Sequence, residues 1–215
     1  MTKIGRPREA GIDVRIVRAV AELAPQYGYS GLTVERIVKH ARTSKPAFYR
    51  RFRSIANVVP LILASDFGDD SDVDTGTLAG DLLEIQIRQS ELFNHPLTKS
   101  VLAGFLDHLS VNPDDAQPFI EGYLAPRRAH THVLLARSVS RGEIPEGADP
   151  AYVADLLTGP VILRGLLPGM PPIDAELIRR TVTTVLNEVH YSGDRSVLDE
   201  VSFPRDLELA GAGAK

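Results

Sequence analysis

Between Thr33 and Arg53 the sequence TVERIVKHARTSKPAFYRRFR gathers hydroxyls, cations and a tyrosine into one short stretch. Lys45, Arg50, Arg51 and Arg53 supply positive charge, and Thr33, Thr43, Ser44 and Tyr49 supply hydroxyls. Such groups donate to phosphate oxygens, and an arginine can also pair with the two acceptors on a guanine edge. The stretch offers no nucleophile beside a base, so the chemistry it suits is binding rather than bond-making.

The spacing shows how these groups must be held. Val34, Ile37, Val38 and Ala41 recur at the i, i+3, i+4, i+7 positions of a helix with one buried face. Thr33 stands where a hydroxyl caps such a helix, and Leu32 can staple against Ile37. Arg42-Thr43-Ser44 follows as a turn. Ser44 or Thr43 can cap the next helix, and Pro46 fits its first turn, where a missing N–H costs little. Phe48 and Phe52 are four apart and face one core, which leaves Lys45, Tyr49, Arg50, Arg51 and Arg53 to point elsewhere. Two short helices of this kind make a helix-turn-helix, whose second helix enters a DNA major groove.

At these residues the chain resembles the TetR/AcrR family of bacterial transcriptional regulators, whose pattern is roughly T-x-x-x-I-A-x-x-A-G-V-S-x-G-x-L-Y-x-H-F. The match falls on Thr33, Ile37, Ala41, Ser44, Lys45, Tyr49 and Phe52, with Phe48 for the usual Leu. It extends upstream through Ile16, Ala21, Leu23 and Gly28, about the first quarter of the chain. Arg42 and Thr43 replace the usual Gly-Val, Pro46 replaces a common Gly, and Ile55 stands where the family often has a phosphate-binding Lys. A left-handed Arg42 would carry strain of about 1–2 kcal/mol, so the turn is expected to differ slightly from the family's. The resemblance implies an all-α chain: a three-helix DNA-binding domain, then a larger helical domain for ligand binding and dimerisation. It also implies a repressor that a small effector releases from its operator.

Charge distribution agrees with contact by one end. Residues 1–54 carry 12 Lys and Arg against 4 Asp and Glu, whereas the remainder carries 12 against 24. A basic module on an acidic body grips a polyanion with the basic end and is repelled along the rest. In the arm of residues 1–9, Arg6 and Arg8 are further DNA-binding candidates, since basic arms enter minor grooves. Within the motif the candidates are Thr33, Thr43, Ser44, Lys45, Pro46, Ala47, Tyr49 and Arg50. Ala47 is suited to a thymine methyl and Arg50 to guanine.

The first helix is expected from Gly11 or Ile12 to Ala24, ended by Pro25 and Gly28, and the DNA-binding domain over 10–56. Residues 57–65 read as a connecting helix bent at Pro60, and DFGDDSDVDTG over 66–76 as a solvated acidic loop. The positions of Gly and Glu there do not fit a calcium loop. Helices are expected over 77–93, over a short stretch carrying Leu97 to Leu109, from Asn112 to Arg141 with a kink at Pro126, from Asp149 to near Pro168, and from Asp174. The domain 57–192 is assigned to effector binding and dimerisation, and 193–215 to a tail that is loose beyond Phe203. The last two helices are apolar on several sides, which points to a homodimer interface through Leu156, Leu157, Ile178, Val182, Val185 and Val189. Phe105, His108, Phe119, Tyr123, Arg127 and Arg164 mix aromatics with isolated polar groups and are the effector-binding candidates, for an apolar or amphipathic molecule.

Other classes are weaker. There is no cysteine, so disulfides, thiolate nucleophiles and cysteine metal sites are excluded together. His130 and His132 are two apart, on different helix faces, and no metal or cofactor is expected. Neither G-x-S-x-G, a phosphate loop, a dinucleotide fingerprint nor H-E-x-x-H is present, so an enzyme is not expected. No apolar run approaches the roughly 18 residues that span a bilayer. The basic N-terminus lacks a signal-peptide core, so the chain is expected in the cytoplasm, with double-stranded operator DNA, a small effector and a second copy as partners. A DNA-binding activator or structural factor that no ligand controls stays open as the alternative.

Overall fold

The computed structural model describes residues 10–199, which are helical with no strand among them. Within that range the chain forms two compact units, residues 10–66 with 100–122 and residues 67–99 with 123–199. The division therefore differs from a single cut after residue 56.

The first unit contains α1 (Ala10–Gly31), α2 (Val34–His40), α3 (Lys45–Tyr49) and α4 (Val59–Phe67), joined by a 3-10 turn at Ile55–Asn57. To these it adds most of α6 (Pro96–Val111) and the short α7 (Ala116–Phe119). Its core is Ile16, Val20, Ile37, Phe48 and Phe105, each with no exposed surface. Phe105 explains why a stretch so far along the chain belongs here, since its ring meets Tyr29 edge-on at 5.7 Å and Phe119 at 5.2 Å. α1 runs through Pro25, and its break comes at Gly28 (φ 62, ψ 171). Glycine suits that position twice over: its φ is left-handed, and a Cβ would lie 3.5 Å from the Ser100 carbonyl. Pro60 is the second residue of α4, where its missing N–H needs no partner, so it produces no bend.

The second unit packs α5 (Leu78–Asn94), α8 (Ala125–Ser140), α9 (Pro150–Leu166) and α10 (Ala175–Glu188) around one apolar core. Asp149 caps α9 through the N–H groups of Ala151 and Tyr152, and Asp174 caps α10 through that of Leu177, both as the sequence predicts. Gln86, fully buried, donates to the Leu157 carbonyl (2.9 Å) and to Thr181 Oγ1 (2.8 Å), tying α5 to α9 and α10.

Three expectations are corrected. Leu157, Ile178, Val182, Val185 and Val189 are buried in the chain's own core, and Leu156 is packed partly against it. Residues at 0–4% exposure have almost no surface to give a partner, so the predicted dimer residues other than Leu156 are core residues first. The helix expected from Asn112 to Arg141 is a 3-10 turn at Pro113–Asp115, then α7, a wide π turn at Ile120–Leu124, and α8. The irregularity thus lies before Pro126, which falls harmlessly in the first turn of α8. The acidic loop is also not wholly solvated. Asp70, at 4% exposure and in a left-handed backbone (φ 64), pairs with Arg127 at 2.6 Å.

Burial lifts the Asp70 carboxyl above its usual range, against the pull of Arg127 and Arg88. Arg127 also donates to the Gly68 carbonyl (2.8 Å) and lies over the Tyr123 ring at 5.3 Å, and burial pushes that phenol up to about 12. Replacing Arg127 with Met leaves Asp70 without its closest countercharge. The expected cost is about 3 kcal/mol in urea denaturation at neutral pH. A carboxyl whose folded pKa is raised favours the fold at low pH and loses that contribution as pH rises. The deficit of the Arg127→Met variant should therefore shrink between pH 7 and pH 5, and a deficit that grows on acidification would contradict this account of Asp70.

Candidate nucleic-acid interface

The first unit builds its exposed row from short, well-capped pieces. Thr33 Oγ1 accepts from the Arg36 N–H (3.2 Å) and starts α2. At the other end the Thr43 N–H donates to the Val38 carbonyl (2.9 Å) and the Arg42 N–H to that of Lys39 (3.3 Å). This pair of bonds is the Schellman closure, which needs a left-handed residue just past the helix end. Arg42 is that residue, with φ 50. The turn therefore has the glycine-type geometry that the sequence reading did not expect of an arginine, at a strain of about 1–2 kcal/mol.

Two residues later Ser44 Oγ accepts from the Ala47 N–H (3.3 Å) and starts α3. Phe48 then enters the core completely, with its ring 5.6 Å from that of Phe52. On the opposite side Ser44, Lys45, Pro46, Tyr49 and Arg50 are exposed, Tyr49 at 58%. Thr33 is exposed and Thr43 half-buried. Ala47 is different. It keeps only 4% of its surface, so it touches no base, and its small side chain serves the packing of α3. Arg6 and Arg8 lie outside the described residues.

Most of the described cations of the unit are already engaged. Arg15 donates to the Ala41 carbonyl (3.1 Å), Arg18 pairs with Glu22 (2.6 Å), Arg51 with Asp13, and Arg53 with Asp114 (3.4 Å). Arg36 donates to the Gly31 carbonyl and lies over the Tyr27 ring at 3.8 Å. Glu22 also accepts from His40 at 2.6 Å, and the bonds from His40 and Arg18 hold its carboxyl below the usual range. Lys45 is 3.3 Å from Glu35, an exposed contact that a phosphate can replace at little cost. Among the described cations of this unit, the side chains of Lys39, Arg42 and Arg50 remain without a hydrogen bond or ion pair. The sequence reading missed Lys39, and it took Arg42 only as a departure from glycine. Their signal was charge adjoining the turn.

The effector candidates divide between the units, Phe105, His108 and Phe119 in the first and Tyr123, Arg127 and Arg164 in the second. His108 Nε2 lies 2.8 Å from Asp115, which also accepts from Ser54 (3.1 Å). Burial raises the Asp115 carboxyl, but these two hydrogen bonds outweigh it and leave the carboxyl below its usual range. Arg164 donates to the Pro172 carbonyl (2.7 Å). An open cavity of about 340 Å³ in the second unit is lined by Glu146, Asp149, Tyr152, Glu188 and His190 among others, and by none of the six.

A short capped helix exposing hydroxyls, a tyrosine and free cations, standing on a buried phenylalanine, defines a helix-turn-helix DNA-binding regulator. Residues 16–60 match the family described as bacterial regulatory proteins, tetR family, and residues 72–185 the tetracyclin repressor-like C-terminal domain. The chain belongs to the TetR family of transcriptional regulators. It is 31% identical over 171 residues to an uncharacterised HTH-type transcriptional regulator of Mycobacterium bovis, covering 77% of this chain and 80% of that one. The fold is similar to the TetR family transcription regulator SCO0332 (TM-score 0.65, 24% identity, 89% of this chain and 99% of that one). It is also similar to GusR of Salmonella enterica (TM-score 0.67, 16% identity, 85% and 97%).

Because Phe48 has no exposed surface, Phe48→Ala should cost about 3–5 kcal/mol and unfold the first unit at lower urea than the wild type. Helical circular dichroism from the second unit should persist through that transition. A single wild-type-like melt would show that α3 does not depend on this ring.

Proposed function

We propose that the chain is a repressor that reads a palindromic operator as a homodimer and leaves it when a small apolar or amphipathic effector binds. The observation that carries the DNA half is the row Ser44, Lys45, Pro46, Tyr49 and Arg50, exposed on one side of α3 while Ala47 and Phe48 are buried on the other. Ser44, Thr43, Thr33, Lys45 and Tyr49 hold phosphates through hydroxyls and charge, and Arg50 and Lys45 reach base edges, with Pro46 against them.

The homodimer is supported by a face of α9 that keeps Leu156 from the predicted set but not the buried Leu157. Tyr152 and Leu163 are 48% exposed and Leu167 51%, and partly buried Leu156 falls between them at helical spacing. An apolar stripe left on a soluble helix suits a second copy, and a two-fold pair of heads matches two half-sites about one turn of DNA apart. The effector half is supported by the π turn at Ile120–Leu124, between Phe119 and Ala125, since such widened turns concentrate at functional sites.

The test is binding to the DNA upstream of the chain's own gene. Lys45→Ala with Tyr49→Ala should weaken specific binding about 100-fold, the loss of two good contacts, while circular dichroism and sedimentation stay unchanged. Unaltered affinity would show that the row on α3 is not the DNA surface. Leu163→Asp with Leu167→Asp should give monomers in sedimentation. A dimer that persists would place the interface on another face.

A further inference from the structure

Arg42 occupies a left-handed position that glycine would fill without strain. Asparagine and aspartate soften such a position by bonding locally through short polar side chains, and arginine has no equivalent. Nor is the strain offset inside the protein. The Arg42 side chain is exposed and makes no hydrogen bond, ion pair or ring contact, whereas the unit's other described arginines apart from Arg50 are engaged. A strained backbone that nothing in the fold requires to be an arginine points to a role for the side chain itself.

Position supplies the role. Arg42 precedes the Ser44 cap of α3 by two residues, so its Cα lies within about 7 Å of that cap. Its free guanidinium stands between the Lys39 ammonium and the Arg50 guanidinium in sequence, and these three are the unengaged cations among the unit's described residues. DNA presents one negative charge per roughly 1.7 Å of its axis, so a cation beside a helix lodged in the groove is within reach of a phosphate. Guanidinium matches phosphate with two parallel N–H donations, which an ammonium cannot make.

From this we infer that Arg42 is a phosphate-binding residue of the DNA interface. It clamps the backbone beside the recognition helix, and the strained turn is retained because it projects the guanidinium there. The inference rests on the reading of α3 as the DNA surface and adds a contact to it. Because the contact is to phosphate, it strengthens binding to any sequence and confers no base preference.

The experiment compares wild type, Arg42→Gly, Arg42→Ala and Arg42→Lys by fluorescence anisotropy, on an operator duplex and a scrambled duplex, across a salt series. Arg42→Gly and Arg42→Ala should both lose about 5–10-fold in affinity on both duplexes, with the log–log salt slope smaller by about 1. Arg42→Lys should keep most of the slope. In thermal melts Arg42→Gly should unfold about 2–4 °C above Arg42→Ala, since only glycine relieves the turn. Equal loss in two variants of unequal stability assigns the loss to the guanidinium rather than to the turn. Wild-type affinity and slope in both variants would overturn the inference and leave the DNA reading intact. A loss confined to the operator duplex would also overturn it, in favour of base reading. A wild-type protein that binds neither duplex would remove the DNA reading and this inference with it.

Discussion

A helix of five residues has no stability of its own, because nucleation costs more than so few hydrogen bonds return. α3, the helix that would enter DNA, is such a helix. Its pose is therefore set from outside, by Ser44 at its start, by the Schellman turn before it, and above all by the Phe48 ring sunk in the core of the first unit. With Phe48 seated, the 100° step between helical neighbours turns Tyr49 into solvent. Exposure of the row proposed to face DNA is thus a consequence of burial on the opposite side. The same constraint explains why Ala47 cannot read a base: it is on the buried side of a helix too short to have two working faces.

Much of this is visible in the residues. Thr33, Ser44, Asp149 and Asp174 each stand immediately before an apolar periodic run, and each caps the helix it announces. The turn at Arg42 was less legible, because residue preference opposes a left-handed arginine while the bonds from Thr43 and Arg42 demand it, and the bonds decide. The apolar stripe of α10 is legible as a covered face, which the sequence leads one to expect beneath a second copy. Periodicity shows that a face is covered without showing by what, and here α5 and α9 of the same chain cover it. Arg127 and Asp70 are 57 residues apart in sequence, and no local pattern tells that the fold joins them.

The second unit shows how polar and charged groups can be kept in a helical core. Gln86 satisfies a carbonyl and a hydroxyl from two other helices, and Arg127 meets Asp70 while also taking a backbone carbonyl and the face of Tyr123. Groups of this kind contribute little net stability when complete and cost much when half-removed, which makes the packing of the unit specific rather than merely tight. The first unit follows the opposite rule. Its pairs are mostly at the surface, and among the described residues they leave three cations unpaired around the turn and α3.

The central claim is that this unit recognises a particular DNA sequence. It is tested most directly by anisotropy of the purified full-length protein on its own upstream DNA and on a scrambled duplex, over a range of salt. The account predicts tight binding to the upstream duplex, a preference over the scrambled one of about 1,000-fold or more, and affinity that falls steeply with salt on both. Equal, weak binding to the two duplexes at every salt concentration would contradict it.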